Sequence, residues 1–440
     1  VSALLERLAS KTQEAEVYES RADTIEVTFS NGAVKGALAR ESSGVAVRAI
    51  KDGRLGFAAS TDRTPRAEGK LVENLLNAAS VGDPAGFSFP GKLAARPGDL
   101  GSYDEKAARL GPQDLVRMGE RAVSAIKERH PEIALDLKVR RSVAEARLEN
   151  SHGARFEDRG TSFSISLEFN RTRDTDVLLD GDGYSAVAAD DGELDRAIAR
   201  LIQKLDWAKD DVKLERTGLL PVFFSPDGAY VVWSPIFQGL SGKAVQTGTS
   251  PLREKRGQAI LDPRIEILDD GLKPRMLGSA PFDDEGLPRR ANVLIGDGVL
   301  RGFVHDLKTA SATKQEPTGN GERPGVLGQP GPGFTNILIR GGPKPHSDLL
   351  RSIDYGLYVE SVIGLGQGNT ISGAFSNTVN LAYVVKKGAV VGRVKDVSIA
   401  GNAYEVLKDR LGGLGAELET SSGSMRMPAV LVSALSVIGK

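Results

Sequence analysis

Leu219-Leu220-Pro221-Val222-Phe223-Phe224 decides how the second half of the chain reads. The run is short and apolar, with the length of a buried strand rather than a helix. Comparable runs follow at Ala291 to Ile295, Phe334 to Ile339, Leu357 to Ile363 and Leu381 to Val385, with Gly and Asp turns between them. Helical periodicity nearly vanishes after about residue 215. The pattern predicts a mainly β domain over 215–440, either a barrel or a strongly coiled sheet. Pro317 to Phe334 holds six Gly and four Pro in eighteen residues, which argues against regular structure there.

Upstream the style differs. Leu4, Leu5 and Leu8 share a helical face, and Ile25, Val27 and Phe29 alternate as in a strand. Asn31-Gly32 and Lys51-Asp52-Gly53 are hairpin signals, because these residues tolerate positive φ. Leu71, Leu75 and Ala79 mark a helix, which completes an α+β subdomain over 1–85. Gly82 to Ser102 is a Pro- and Gly-rich connector. Leu115, Met118, Ala122 and Ile126 predict an amphipathic helix, started near Pro112 and ended by Pro131. Period-two runs at 133–139 and 163–169, then Leu194, Ile198, Leu201 and Leu205, predict a central helix, antiparallel sheet and helix over 103–212. The fold class is therefore α+β: an N-terminal α+β region with antiparallel sheets and helices, then a C-terminal, mainly β, barrel-like domain.

Composition removes several functions. The 440 residues carry 57 Lys plus Arg and 58 Asp plus Glu, so no basic footprint for nucleic acid exists. There is no cysteine, hence no thiolate nucleophile, iron–sulfur cluster or Cys-containing zinc site. The four histidines, His130, His152, His305 and His346, are too far apart for a local zinc motif. No apolar run reaches the roughly 18–20 residues of a membrane span. No secretory signal or lipidation motif is seen, so the expected location is cytoplasmic, with no membrane partner.

Short motifs resolve mostly into framework. Gly364-Leu365-Gly366-Gln367-Gly368-Asn369 looks like a phosphate loop but lacks a convincing helix after it. Asp190, Asp191, Glu193 and Asp195 suit a helix start. Asp269-Asp270 and Asp283-Asp284-Glu285 could hold a divalent cation, yet they also read as ordinary polar turns. His305 falls in a strand-like run, and Trp207 and Trp233 read as core or rim anchors.

The ordered string of motifs is similar to that of the TldD/PmbA family, also described as modulators of DNA gyrase. Gly44-Val45-Ala46-Val47-Arg48 with Gly53-Arg54-Leu55-Gly56-Phe57-Ala58 resembles the N-terminal signature. Ser279-Ala280-Pro281-Phe282-Asp283-Asp284-Glu285-Gly286 resembles the opening of the C-terminal domain, and Thr318-Gly319-Asn320 its Thr-Gly-Asn loop. Gly373-Ala374-Phe375-Ser376 and Ile399-Ala400-Gly401-Asn402 resemble its closing blocks.

The resemblance implies a dimer enclosing a peptide-accessible cavity. A TldD-type subunit carries zinc and cleaves unfolded peptides, and a PmbA-type (TldE) subunit pairs with it and lacks the metal motif. Metal-bearing members have His-Glu-x-x-x-His after the strand at 219–224. This chain has Trp233, Ser234 and Gln238 in those positions, before Gly239-Leu240-Ser241-Gly242. Indole has no lone pair for zinc, a glutamine amide is a poor substitute for imidazole, and serine cannot act as a carboxylate base. Pro235 further argues against a regular metal-binding helix at this segment.

The expectation is a chain with no catalytic and no metal-ligating residue and no cofactor of its own, zinc residing only in a TldD-type partner. It would be the non-catalytic subunit of a zinc metalloprotease acting on unfolded peptides. The expected peptide contacts are Thr318, Gly319, Asn320, Asn369 and Ser376. The partner would be a TldD-type subunit or a second copy of this chain. Competing readings are a homodimeric peptide-binding scaffold without enzymatic activity, and a hydrolase with a relocated site at Asp283 and Asp284.

Overall fold

A computed structural model describes residues 2–93, 98–174, 176–366, 370–421 and 423–439. The N-terminal strands are β1 (Glu14–Ser30), β2 (Ala33–Lys51), β3 (Arg54–Ser60), β4 (Ala134–Asn150), β5 (Arg155–Arg173) and β6 (Asp176–Ala186). They form one antiparallel sheet in the order β3-β2-β1-β4-β5-β6. The sequence split this region into two subdomains, over 1–85 and 103–212. The sheet instead runs across both, because β1 and β4 pair from Glu16↔Asn150 to Phe29↔Leu137.

Helices cover opposite ends of the long strands. α1 (Ser2–Ala9) and α2 (Pro65–Val81) bury Leu4, Leu8, Leu71 and Leu75 against Val17, Val45 and Val47. α3 (Glu105–Ala108) is a single turn. α4 (Pro112–Arg129) and α5 (Asp191–Trp207) bury Leu115, Ala122, Ile126, Ile198 and Leu201 against Val27, Phe29, Val139, Ile165 and Leu167. Both predicted hairpin turns are present, with positive φ at Asn31, Gly32, Asp52 and Gly53. Gly119 lets α4 lie directly on the sheet, since a Cβ there would stand 2.3 Å from the Phe29 ring.

The C-terminal strands are β7 (Gly218–Phe224), β8 (Ile267–Asp270), β9 (Ala291–Gly296), β10 (Val299–Leu300), β11 (Gly321–Glu322), β12 (Gly331–Pro332) and β13 (Ile337–Ile339). They continue with β14 (Tyr355–Val362), β15 (Ala374–Lys386), β16 (Ala389–Val394), β17 (Val397–Asn402), β18 (Leu411–Ser421) and β19 (Met425–Gly439). β7, β14, β15, β17 and β19 pair in turn, and β19 returns to β7 through Val430↔Phe224. The result is a closed barrel, as the alternation of apolar runs and turns predicted. Its side chains pack with α6 (Tyr230–Leu240) into one large core. β13, β8, β9 and β10 extend the sheet outward from β19.

Short helices interrupt this domain more than the sequence pattern suggested: α6, α7 (Gly242–Gln246), α8 (Leu307–Thr313), α9 (His346–Arg351) and α10 (Ala403–Asp409). The expectation about Pro235 is also corrected, because α6 runs through it. Proline removes one backbone donor within the helix. Burial of Val231, Val232, Trp233, Ile236, Phe237 and Leu240 holds the helix regardless.

The acidic turns are corrected as well. Asp283 is fully buried and accepts backbone N–H bonds from Glu285, Leu287 and Gly321 at 2.8–3.0 Å. Glu285 receives Arg48 Nη1 at 2.6 Å, and Arg48 also chelates both oxygens of Glu16 at 2.8 Å. Arg323 donates to Glu16 at 2.8 Å, which completes a buried charged bridge between the N-terminal sheet and the C-terminal domain.

Candidate functional site

The positions singled out by the metal comparison lie on α6, and the helix sorts them by face. Trp233 is completely buried in the barrel core, and its indole Nε1 finds no acceptor among the described residues. Ser234 and Gln238 are one helical turn apart, so their side chains meet. Gln238 Nε2 donates to Ser234 Oγ at 3.2 Å, and Thr370 Oγ1 donates to Gln238 Oε1 at 2.8 Å. Tyr404, from α10, braces the same helix by donating to the Pro235 carbonyl at 3.1 Å.

Beside this face opens a cavity of about 540 Å³. Ser234 and Pro235 form one wall, Ile363 to Gly366 another, and Ala374 to Thr378 of β15 a third. Along Ala374 to Thr378, β15 pairs with β17 on one side. On its other side β14 takes over only at Val379, apart from Ile363, whose N–H reaches the Thr378 carbonyl at 2.8 Å. Among the described residues, the Ala374–Ser376 main chain therefore has a ladder on one side only and borders the cavity with the other. That is the geometry into which an extended peptide can add as a strand.

Zinc does not fit here. Val231, Ser234 and Pro235 of α6 line this cavity and offer one neutral hydroxyl, already bonded to the Gln238 amide, and the Trp233 indole nitrogen is a donor only. Among the described residues, no group of three or more His, Asp or Glu side chains could hold a metal ion.

The sequence-selected peptide contacts do not gather in one place. Ser376 is exposed and lines the cavity beside α6. Asn369 lies outside the described residues. Thr318 lines a different cleft, and its hydroxyl accepts from the His305 N–H at 2.7 Å. Gly319 takes φ +73°, and a Cβ there would stand 2.5 Å from the Pro288 carbonyl. Asn320 is fully buried and donates to Asp269 at 2.6 Å and to the Gly333 carbonyl at 2.9 Å. Gly319 and Asn320 thus shape a loop and have no free surface for a ligand. Gly364 and Gly366 line the α6 cavity, a role that the phosphate-loop comparison did not suggest.

A second polar constellation joins the two domains. Lys204 of α5 donates to the Gly181 carbonyl at 2.7 Å and sits 3.3 Å from Asp182, 3.5 Å from Asp180 and 4.0 Å from Glu360. Arg200 holds Asp182 with two nitrogens, at 2.6 and 3.1 Å. Burial pushes the Glu360 carboxyl up to about 7, with Lys204 pulling the other way. Trp207 packs edge-on against Tyr358 and Tyr383 with ring centroids 5.2 and 5.3 Å apart, which anchors α5 against the barrel.

Comparison with known proteins places this geometry. The model of the PmbA/TldA metallopeptidase C-terminal domain matches residues 217–439, and that of PmbA/TldA metallopeptidase domain 1 matches residues 15–81. The chain is 23% identical to the metalloprotease PmbA of Escherichia coli O157:H7, covering 98% of this chain and 95% of that protein. It is 30% identical to a metalloprotease TldD homolog of Buchnera aphidicola, over 49% of this chain and only 47% of that protein. The chain thus spans under half the length of that TldD homolog. The crystal structure of TldE from Thermococcus kodakarensis superposes with a TM-score of 0.91 at 26% identity, covering 100% of this chain and 99% of that one. No helix is long and apolar enough to cross a membrane among the described residues.

Proposed function

Because this chain belongs to the TldD/PmbA metallopeptidase family, whose C-terminal model matches residues 217–439, we propose that it binds extended peptides and leaves their cleavage to a zinc-bearing TldD-type subunit. One observation carries the reading. Where a metal-bearing relative would place its ligands, Trp233 is sealed in the core, and Ser234 and Gln238 are tied to each other and to Thr370, beside a strand edge that is unpaired among the described residues.

The binding step follows from the edge. An unfolded peptide presents main-chain N–H and C=O groups along its length, and strand addition along Ala374 to Ser376 would pair them. A folded substrate has already used those groups, so the edge selects for extended chain. Ser376 lines this path. The neutral Ser234–Gln238–Thr370 chain can orient an amide by hydrogen bonds, but it has no group to activate water. An effect on DNA gyrase would run through a processed peptide, since a net charge of −1 gives no drive toward DNA.

The test uses the full chain alone and mixed with a TldD-type subunit. Fluorescence anisotropy of a labelled unstructured peptide should report binding by the chain alone. Zinc-dependent cleavage should appear only in the mixture. Ser376→Trp, which fills the cavity from an exposed position, should weaken peptide binding by about tenfold or more while leaving the thermal midpoint unchanged. Zinc-dependent hydrolysis by the chain alone would overturn the non-catalytic reading. A stable self-dimer that ignores the TldD-type subunit would favour the homodimeric scaffold instead.

A further inference from the structure

The seam around Lys204 is hollow. A cavity of about 270 Å³ opens there between α5, α9 and the barrel strands β7 and β14, and it shares no lining residue with the cavity beside α6. Local structure aims its groups. Arg200, Lys204 and Trp207 recur at helical spacing along one face of α5. Tyr358 and Glu360 point to one face of β14, since side chains alternate along a strand. Phe223 of β7 stands in register with Tyr358, and their ring centroids are 5.0 Å apart. Phe223, Tyr358 and Trp207 thus make a continuous aromatic wall. Gln203, Asp227 and Ser347 are exposed and form the mouth, while Lys204 and Glu360 are buried and form the floor.

Charge in the wall is unbalanced. Four carboxylates, Asp182, Asp227, Glu360 and Glu419, face two cations, Arg200 and Lys204. Both cations are engaged away from the floor carboxylate. Arg200 grips Asp182 and reaches Glu419 at 3.5 Å. Lys204 bonds the Gly181 carbonyl and lies nearer to Asp182 and Asp180 than to Glu360. His346 adds no positive charge, because burial lowers its pKa. Among the described residues, Asp227 makes no ion pair, and no N–H comes within hydrogen-bond distance of the Glu360 carboxyl. Its nearest cation, Lys204 Nζ, stands at 4.0 Å, and the Ser225 and Tyr358 hydroxyls flank it. The Glu360 side chain is only 7% exposed and lines the cavity. A buried carboxylate short of donors is costly, and a cation that carries N–H groups is the matching partner.

We propose that this cavity binds a primary alkylammonium group. The ammonium would donate to Glu360 at the floor, with Asp227 at the mouth drawing the charge in. The methylenes would lie along Trp207, Phe223 and Tyr358, as a lysine stem lies on apolar surface. Other classes fit less well. An anion would meet four carboxylates, and an alcohol brings no charge. A quaternary ammonium brings charge but no N–H for Glu360. A bare metal ion lacks its ligands, since no three His, Asp or Glu side chains converge among the described residues.

Trp207 lines the cavity and Trp233 is sealed in the barrel core, so tryptophan fluorescence of the full chain reports occupancy. The titration is run at about pH 8, where Glu360, pushed up to about 7 by burial, is ionised and an alkylamine keeps its proton as lysine does. n-Butylamine should give a saturable change with a dissociation constant of roughly millimolar or tighter. Tetramethylammonium and n-butanol should bind about tenfold or more weakly. An acetyl-lysine methylamide arm separates a free amine from a lysine side chain as the source of the group. Asp227→Asn, at an exposed position, should weaken butylamine about tenfold without moving the thermal midpoint, and Glu360→Gln should weaken it at least as much. An unsaturable response to butylamine, equal binding of tetramethylammonium or butanol, or unchanged affinity in both variants would overturn the proposal. Ser376→Trp should leave the amine response unchanged, which keeps this result distinct from the peptide reading. Loss of the response in that variant would assign it to the other cavity and overturn this site.

Discussion

Trp233 shows what a single substitution can do to a site and to a core together. Its ring fills the centre of the barrel and does not reach the cavity, so it stabilises the fold rather than touching ligand. Trp233→Ala should cost about 3–5 kcal/mol, read from urea denaturation, because it leaves a void in a closed core. Asn320→Ala should cost about 1–3 kcal/mol by the same measurement, since it strips a partner from buried Asp269, while peptide affinity stays unchanged. The side-chain types at 233, 234 and 238, none of them suited to zinc, were legible in the sequence. Burial of Asp283 and Glu285 was not. Their environment is made by residues such as Arg48, 237 positions from Glu285, and no local pattern reports a partner at that separation.

Among the elements, legibility followed period. Strands with alternating apolar residues, hairpins with Asn31-Gly32 and Asp52-Gly53, and the helices over Leu115–Ile126 and Leu194–Leu205 are fixed by local chemistry and stood where expected. α6 was missed because Pro235 is a valid local signal that tertiary burial outweighs. The open side of β15 was also invisible, since it depends on where β14 stops. The closeness of α4 to its sheet gives a direct test. Gly119→Ala would push a methyl to 2.3 Å from the Phe29 ring, and forced repacking should destabilise by about 1–3 kcal/mol, with a lower thermal midpoint.

At the scale of the whole molecule, two buried charged clusters join the N-terminal sheet to the C-terminal domain, and each holds a carboxyl whose pKa burial raises, Glu285 in one and Glu360 in the other. Glu360 has its folded pKa raised to about 7 from an ordinary 4.5. The folded state therefore holds its proton more tightly than the unfolded chain does. The associated stability is fully present below about pH 4.5 and is lost as pH rises to about 7. Thermal midpoints should fall between about pH 5 and pH 8, and Glu360→Gln should flatten part of that fall. A remainder should persist, because burial also raises Glu322 to about 7. An unaltered slope in Glu360→Gln would assign the dependence elsewhere. The barrel closure has a consequence for synthesis. β19 pairs with β7, β13, β17 and β18, so it seals a ring whose first strand leaves the ribosome some two hundred residues earlier. Until Met425–Gly439 emerges, β7 and β17 wait with open hydrogen-bonding edges and an uncovered apolar interior. The nascent chain thus carries an unsealed barrel until β19 has emerged, and chaperone demand should peak just before that point rather than while the N-terminal sheet is being made.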